Sequence, residues 1–491
     1  MEGINVRRLA LASSLLAVLL PAAVAATASA ANPQVSPQAA ERALDAALDA
    51  LNPPIAASSG PAAGSRDATV ALRDLAVALP ALRGADRRRA RALLARPTDK
   101  NDRAYFGKEA KDSPVCNAHF CLHWTEKAKN RPDRKVFKAI FPAMNQSRAI
   151  ENEDLGWRDP KSDGKLGARH GKGRDGQVDV YVTNLGRRLY GYASPDGHQR
   201  GQKRHAYLVL DNDYVGFPTG PVQSMQVTAA HEYNHILQFN YDVFEDVWLF
   251  EDTATWMEEQ VYPNINDYLN YLSAFAKTSS RPMTGSSIKI YAEAVWNHWL
   301  GNRFGDEVVR HTWEVSPKQR SFAVAAYNKA IKGAGGPGFA PELGDFFAAT
   351  AEWRSLPGRF TDDYAEFPDM KRSGKIDAGT AKTKLDNTSY RLYDVDPTGG
   401  AAISLDVKAE KGTKSSISLI GREGGTGGAV TISTGYLGKG GTGEVTLADP
   451  GKFSRITAMV ANVDGDSKRR RKGKRVYTSD NSSYRFSLGA G

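Results

Sequence analysis

The chain has 491 residues, of which 41% are hydrophobic and 24% are charged. This is the composition of a folded globular protein, which excludes a mainly disordered chain, and the length is ample for two or three domains. The formal net charge of +10 is spread along the sequence rather than concentrated on one helix, so it does not point to a nucleic-acid partner.

The amino terminus has the pattern of an export signal. Arg7 and Arg8 precede an apolar run, Leu9–Ala28, which ends in small residues typical of signal cleavage. A membrane anchor is the alternative, but Pro21 and the alanine-rich end favour cleavage, and no later segment is long and apolar enough to span a bilayer. We expect residues 1–30 to be a signal peptide and the protein to be secreted and extracellular.

The next segment, residues 31–104, is rich in alanine and arginine and has apolar residues at helical spacing. The predicted helices are Ala40–Leu51, Asp67–Leu79 and Asp86–Leu94. A linker of small residues, Ala56–Ser65, separates the first two.

Two cysteines occur in the whole chain, Cys116 and Cys121. They are close enough in sequence to close a small loop, and an exported chain keeps such a bond. Metal binding by the pair is the alternative, since His119 and His123 lie beside them. We predict a disulfide.

Alternating or continuous apolar runs predict the strands of a sheet at Leu122–Thr125, Val178–Thr183 and Ala206–Leu210. A helix is predicted at Val136–Ile150, with Pro142 expected to kink or split it. Tyr190-Gly191-Tyr192 is predicted to lie on a loop.

The polar loop Gly156–Gly176 contains Asp159, Asp163 and Asp175. These acids could hold Ca²⁺, but their spacing does not match the EF-hand pattern. We therefore interpret the segment as an ordinary loop, and calcium as a cofactor has no support from the spacing.

The pattern His-Glu-x-x-His occurs at His231–His235, within an unbroken helical periodicity. Residues four apart lie on one face of a helix, so His231 and His235 can bind one Zn²⁺ ion. Glu232 follows the first histidine directly and can reach a water at that ion, as a general base requires. A catalytic zinc site needs a third protein ligand and an open position.

A second helix with an aromatic and acidic face is predicted around Trp248–Glu259 and contains Glu251. The polar segment Asn240–Asp246 would turn the chain back and bring Glu251 towards the histidines. The motif pair, His-Glu-x-x-His followed by Trp-Leu-x-Glu-x-x-Ala-x-Trp-x-Glu, resembles the gluzincin group of zinc metallopeptidases. The resemblance implies that Glu251 is the third metal ligand, beside His231 and His235, and that Glu232 is the general base.

The same resemblance suggests further roles. Gluzincins place a Tyr or His from a later helix near the developing oxyanion, and Tyr291 and His298, within a predicted helix Ile290–Phe304, are the candidates. Glu258 and Asp252 are candidates for orienting the histidines from behind.

In zincin folds, the strand before the metal helix forms the edge of the cleft, and an exposed edge pairs with extended peptides. Ala206–Leu210 is the candidate, with a buried core strand as the alternative, and Tyr190–Tyr192 could line the same cleft. A helical leader ahead of a secreted peptidase commonly masks its cleft as a propeptide. The alternative for residues 31–104 is a structural helical hairpin that packs on the catalytic domain.

After Pro368, helix formers give way to β-branched residues in alternation, broken by glycine. The predicted strands are Ala402–Val407, Ser415–Ile420, Ala429–Ser433, Glu444–Leu447, Arg455–Val463, a strand around Tyr477, and Tyr484–Leu488. Their length and spacing suggest a β-sandwich, similar in texture to accessory modules of secreted bacterial proteases.

The basic run Lys468–Arg475 is the exception to the spread of charge. A solvated hairpin loop is the first interpretation. The alternatives are adhesion to an anionic surface polymer, anionic lipid or nucleic acid, or a processing site. The run has no interleaved aromatic residues, so we predict no nucleic-acid binding.

Together these observations predict an α+β protein. We expect a signal peptide at 1–30, a helical prosegment or N-terminal helical region at 31–104, a zincin-like domain at 105–370 and a β-sandwich at 371–491. The predicted function is a secreted zinc metallopeptidase that acts on peptides or proteins. Endopeptidase action is favoured because the Gly-x-Met-Glu-Asn motif of one aminopeptidase branch is absent. A zinc exopeptidase, or a surface-binding protein with a non-catalytic metal site, are the alternatives.

Overall fold

The computed structural model describes residues 35–52, 67–100, 102, 106, 114–127, 129–167, 176–187, 189–197, 199–285, 287–319, 322–356, 358–360, 366–376, 380–396, 400–465, 467–469, 475–477 and 479–490. The predicted signal peptide and the predicted linker at 56–65 lie outside these residues.

Within the described residues, three α-helices precede the sheet, at positions close to those predicted: α1 (Pro37–Leu51), α2 (Thr69–Ala78) and α3 (Gly84–Leu93). α1 begins at Ser36, whose side chain accepts a hydrogen bond from the Ala39 amide, as a helix N-cap does. The apolar faces of the three helices form a core of their own with one face of the sheet that follows.

That sheet has five strands, in the order β1 (Val115–Cys116), β2 (Phe120–His123), β3 (Val178–Thr183), β5 (Ala206–Asp211), β4 (Gly191–Pro195). β2, β3 and β5 are parallel, whereas β1 and β4 run antiparallel to their neighbours. Side chains alternate between the two faces of a strand. Tyr181 and Tyr207 therefore face the N-terminal helices, while Val180 and Leu208 face the main core.

One prediction about this sheet is wrong. The segment around Gly191, which we expected to be a loop, is the edge strand of the sheet. Ala206–Asp211 is an inner strand, so its alternative interpretation as a buried core strand is confirmed and the edge role is not. Strand β4 was missed because it begins with glycine and ends with Pro195, which are depleted in strands and tolerated at their ends and edges.

The main core lies between this sheet and a group of helices. α4 (Arg134–Arg148) is capped by the Asp133 side chain and stays continuous through Pro142, which the sequence suggested would kink or split it. It runs into a π-helical turn, Ala149–Asp154.

Two central helices follow, α5 (Pro221–Phe239) and α6 (Val247–Val261). α5 begins with Pro221 at its first turn, where a missing amide proton is harmless, after Gly220 at a φ of 86°. Both helices are buried on nearly all sides, and α5 packs against α4, α6, β4 and β5. The helix pair is thus enclosed in the middle of the protein.

The remaining helices are α7 (Leu269–Lys277), α8 (Lys289–Ala292), α9 (Ala294–Phe304), α10 (Glu307–Val315), α11 (Ala323–Gly333) and α12 (Phe339–Thr350). The single helix expected at Ile290–Phe304 is divided at Glu293 into α8 and α9.

The carboxyl-terminal part is a sandwich of two sheets around an apolar core. Its strands are β6 (Arg372–Lys375), β7 (Thr380–Leu385), β8 (Ser389–Val395), β9 (Ala402–Ala409), β10 (Ser415–Arg422), β11 (Val430–Tyr436), β12 (Thr442–Ala448), β13 (Arg455–Asn462) and β16 (Ser482–Ala490). One sheet has the order β11-β10-β13-β8-β6 and the other β12-β9-β16-β7. The predicted α+β class with a β-rich carboxyl-terminal region is confirmed.

The sandwich does not stand apart from the helices. The outer face of its five-stranded sheet packs on α12, where the rings of Phe347 and Tyr390 stack at 4.1 Å between centroids. Tyr390, Leu392 and Met459 belong to the same apolar core as the central helices. The two regions therefore support each other.

The basic run is carried by a short hairpin, β14 (Ser467–Arg469) and β15 (Arg475–Tyr477). Residues 470–474 lie outside the described residues. Among the residues that the structure does describe, no helix has the length and hydropathy needed to cross a bilayer.

Candidate metal centre

Four buried side chains from three separate parts of the chain meet at one point: His231 and His235 of α5, Glu251 of α6, and Asp67 just before α2. One ligand atom from each lies within 4.8 Å of the other three. The histidines come together because they are four residues apart on one helix. Glu251 joins them because α6 packs along α5, so this group could hold a metal ion.

The distances between the ligand atoms are close to those around a small tetrahedral ion. Glu251 Oε2 lies 3.3 Å from His231 Nε2 and 3.8 Å from His235 Nε2, and Asp67 Oδ2 lies 3.8 Å from His231 Nε2. Ligand bonds of about 2.0–2.2 Å around zinc imply separations of roughly 3.3–3.6 Å between the ligand atoms of a tetrahedron. The shortest of the three distances lies in this range and the two of 3.8 Å are slightly longer. Imidazole and carboxylate are also the donors that zinc takes in proteins.

His235 supports this interpretation independently. Its Nε2 atom is buried and has no hydrogen-bond partner among the described residues, which is unusual for a native structure unless an ion or water is bound there. Burial lowers the pKa of His235 to about 3, so its imidazole is neutral, as a metal ligand must be.

Each histidine is oriented from behind by a different kind of acceptor. His231 Nδ1 donates to Glu258 Oε1 at 2.7 Å, and His235 Nδ1 donates to Gln238 Oε1 at 2.7 Å. Gln238 is held in turn, because its amide donates to Asn234 Oδ1. Both contacts leave Nε2 facing the group, which is the usual arrangement behind metal-bound histidines.

Asp252, the other candidate for this role, does not contact the histidines. Its carboxylate accepts hydrogen bonds from Tyr327 and Thr253, and burial raises its pKa. Asp252 follows Glu251 directly on α6, so its side chain leaves the helix in another direction and cannot share the face that Glu251 and Glu258 occupy.

Glu232 and Tyr291 both lie beside the group, and both contact the segment that carries Asp67. Glu232 Oε2 accepts a hydrogen bond from the Thr69 hydroxyl at 2.8 Å. Tyr291 donates to Asp67 Oδ2 at 2.9 Å, and its ring centroid is 6.2 Å from that of His231.

His298 is not in the group. Its ring lies 5.8 Å from that of Tyr268, among aromatic residues, and burial lowers its pKa to about 3. The helix break at Glu293 separates the two candidates, so the shared face that a continuous helix would give Tyr291 and His298 is lost.

Asp67 is the residue that the sequence did not reveal. The sequence predicted it as the first residue of a helix, but α2 begins at Thr69 with Ala68 as its N-cap. Asp67 Oδ1 accepts a hydrogen bond from the Thr69 amide, the contact of an Asx turn. Its other oxygen is the one that faces the histidines. An aspartate that accepts from the amide two residues ahead is a common local pattern, so nothing in the neighbouring sequence distinguishes this second role.

The aspartates suggested for calcium are dispersed. Asp159 pairs with Arg148, while Asp163 pairs with the buried Arg96. Asp175 lies outside the described residues. Arg96 also pairs with Asp179 and Asp196, so this guanidinium is the centre of a buried charge cluster.

The predicted disulfide between Cys116 and Cys121 is confirmed, and it joins the directly opposed residues of β1 and β2. His123, the suggested metal-binding neighbour of this pair, bonds to Asp179 instead, at 2.7 Å.

Comparison with known proteins adds one similarity. Residues 216–432 match the model of a family of unknown function, DUF6055. The matched range contains α5, α6 and part of the sandwich, and it does not contain Asp67. No curated protein matches the sequence.

Proposed function

We propose that this protein is a secreted, zinc-dependent peptidase of the gluzincin type, acting as an endopeptidase. The observation that carries the proposal is the buried group of His231, His235 and Glu251 with Glu232 beside its first histidine. A purely structural metal site has no use for a carboxylate in that position. Export is supported by the disulfide, since such bonds persist in oxidising compartments.

The chain's own groups suit hydrolysis of a peptide bond. Two neutral imidazoles and the Glu251 carboxylate would hold the ion, which when bound makes water a stronger acid and polarises a carbonyl. Glu232 would accept the proton of the attacking water and deliver it to the leaving amine. The Tyr291 hydroxyl, a hydrogen-bond donor beside the group, would stabilise negative charge on the carbonyl oxygen.

Strand β4 provides an edge for an extended peptide. It is the last strand of its sheet and packs against α5, which carries the histidines. Main-chain hydrogen bonds to such an edge do not depend on side chains, so this mode of binding suits an enzyme with broad sequence tolerance.

Metal content and hydrolysis of a mixed peptide pool test the proposal. We expect one zinc per chain, loss of zinc in His235→Ala, and retained zinc without hydrolysis in Glu232→Gln. The exposed Glu126 provides the matched control, since Glu126→Gln should leave zinc content and hydrolysis unchanged. Hydrolysis should be measured in the natural chain and in Asp67→Ala. Zinc-free protein, or equal hydrolysis in Glu232→Gln, would refute the assignment.

The same pool separates the rival functions. Cleavage of internally quenched peptides with blocked ends supports an endopeptidase, whereas release of terminal residues alone supports an exopeptidase. Bound zinc without cleavage of any peptide supports a non-catalytic metal site.

A second function, adhesion to an acidic polymer, is favoured by a row of cations on the sandwich. Arg485 of β16 lies directly opposite Lys382 of β7 and Lys408 of β9, and all three are exposed. Like charges in directly opposed positions destabilise a sheet. A bound polyanion would offset this repulsion. The basic run Lys468–Arg475 is a second candidate for binding such a polymer, on its sequence alone.

Binding of the full chain to an acidic polysaccharide, measured against salt concentration, tests this second function. Charge reversal at Lys382, Lys408 and Arg485 should abolish binding, while Lys135→Glu on the exposed face of α4 should not. Binding that is equal in both proteins would contradict the role of the row.

A further inference from the structure

The segment that carries Asp67 and Thr69 lies across the site that would perform the reaction. We propose that this segment is a built-in mask, in which Asp67 fills the open metal position and Thr69 blocks the general base. The inference rests on the proposed peptidase function and concerns the regulation of the same site.

Asp67 completes the ligand set. With His231, His235 and Glu251, its Oδ2 makes four candidate ligand atoms, which is the number that closes a tetrahedral site. A catalytic zinc has three protein ligands and leaves the fourth position to water or substrate. Two carboxylates also balance the charge of a divalent ion, so the closed site would carry no net charge when buried.

Thr69 engages the base. Its hydroxyl donates to Glu232 Oε2 at 2.8 Å and accepts from the Ala193 amide of β4 at 2.9 Å. A carboxylate in this contact is not free to receive a proton from water. The main-chain amide of Ala193 is likewise occupied by this contact with Thr69. An edge strand would otherwise offer that amide to a peptide substrate.

The main chain of the segment occupies the same edge. Asp67 forms a parallel β-bridge with Gly191, the first residue of β4. The side of β4 that is not paired with β5 is thus covered where a substrate would pair with it. One short stretch therefore blocks the metal position, the base and the binding edge together.

Contacts outside the cleft hold the segment in place. On α2, Arg73 donates to the Glu245 carbonyl at 2.8 Å and lies 4.7 Å from the ring centroid of Phe250 on α6. Arg96, after α3, is buried against Asp179 and its neighbouring acids. These anchors keep the local concentration of the Asp67 carboxylate high.

The test compares zinc-loaded natural protein with Asp67→Asn and Asp67→Ala, using acetohydroxamate as a probe of the open metal position. Asparagine keeps an acceptor for the Thr69 amide but lacks the anionic ligand. If the natural site is open in about 1% of molecules, both variants should bind the probe about a hundredfold more tightly by titration calorimetry. Asp45→Asn, at an exposed position on α1, is the control and should match the natural protein.

Zinc stoichiometry is measured on the same samples. One zinc per chain in both variants, with tighter probe binding, supports the mask. Unchanged probe affinity overturns it. Loss of zinc or failure to fold in both variants also overturns it, because Asp67 would then be an obligatory part of a structural site.

The outcome is separable from that of the proposed function. Tighter probe binding without peptide hydrolysis would leave the mask standing and remove the peptidase. Hydrolysis that depends on Glu232, with unchanged probe affinity in the Asp67 variants, would support the peptidase and refute the mask.

Discussion

The two histidines of the candidate metal centre are supported unequally, and this difference gives a quantitative prediction. His231 donates to a carboxylate, Glu258, whereas His235 donates to an amide, Gln238, at the same distance of 2.7 Å. Glu258→Gln would replace the charged acceptor of His231 by a neutral amide, like the acceptor of His235. A hydrogen bond to a charged group contributes about 1.5–3 kcal/mol and a neutral one about 0.5–1.5 kcal/mol, so the change removes about 1–1.5 kcal/mol.

This loss corresponds to zinc binding weakened roughly fivefold to twelvefold. Glu258→Ala leaves the Nδ1 proton of His231 buried without an acceptor, and zinc binding should weaken further, by about 10- to 100-fold in total. Gln238→Ala should weaken zinc binding by an amount near the lower end of that range, since it removes only a neutral acceptor.

Competition against a chromophoric chelator gives the zinc dissociation constants, and unfolding of the metal-free proteins shows whether the fold is kept. The exposed Glu126 again provides a control in Glu126→Gln. Equal weakening by Glu258→Gln and Glu258→Ala would refute the reasoning, because the charge and not the presence of an acceptor would then account for the whole effect.

Two further predictions concern stability. Burial opposes ionisation of Asp196, but Arg96 and His205 prevail and lower its pKa from 3.8 to about 2. Because the pKa of Asp196 is lower in the folded protein, this stabilisation is present above pH 4 and is lost as the pH falls through 2, with about 1 kcal/mol gone by pH 3. The urea midpoints of the natural protein and Asp196→Asn should therefore lie closer together at pH 3 than at pH 6. An unchanged separation between the two midpoints would contradict this prediction. Replacing Cys116 and Cys121 together by serine should cost about 2 kcal/mol in urea unfolding, because the closed loop is short, and a loss above about 4 kcal/mol would be inconsistent with loop entropy.

The structure shows how the N-terminal helices in residues 31–104 contact the rest of the protein. The sequence left open whether these helices mask a cleft or support the fold. Their apolar faces share a core with Tyr181 and Tyr207 of the sheet, so they do support it, while Asp67 and Thr69 enter the candidate site. Both roles are compatible within one segment, since the mask involves only the residues at the start of α2.

Features that depend on neighbouring residues were accessible from the sequence alone. The histidine pair follows from helical periodicity, and the strands of the sandwich follow from alternation of β-branched residues. The Cys116–Cys121 bond follows from a spacing that closes a small loop. In each case the partners are close along the chain, so local geometry determines the contact.

Only the tertiary structure decided how distant segments meet. Thr69 and Glu232 are 163 residues apart and touch because α2 packs against β4. The sequence of β4 itself predicts a loop, because the strand begins with a glycine and ends with a proline. Asp67 has an ordinary local role in the turn before α2, and its second oxygen gains a metal-facing role from packing alone. A side chain with two acceptors can serve a local and a remote partner at once, and the sequence pattern reports only the local one.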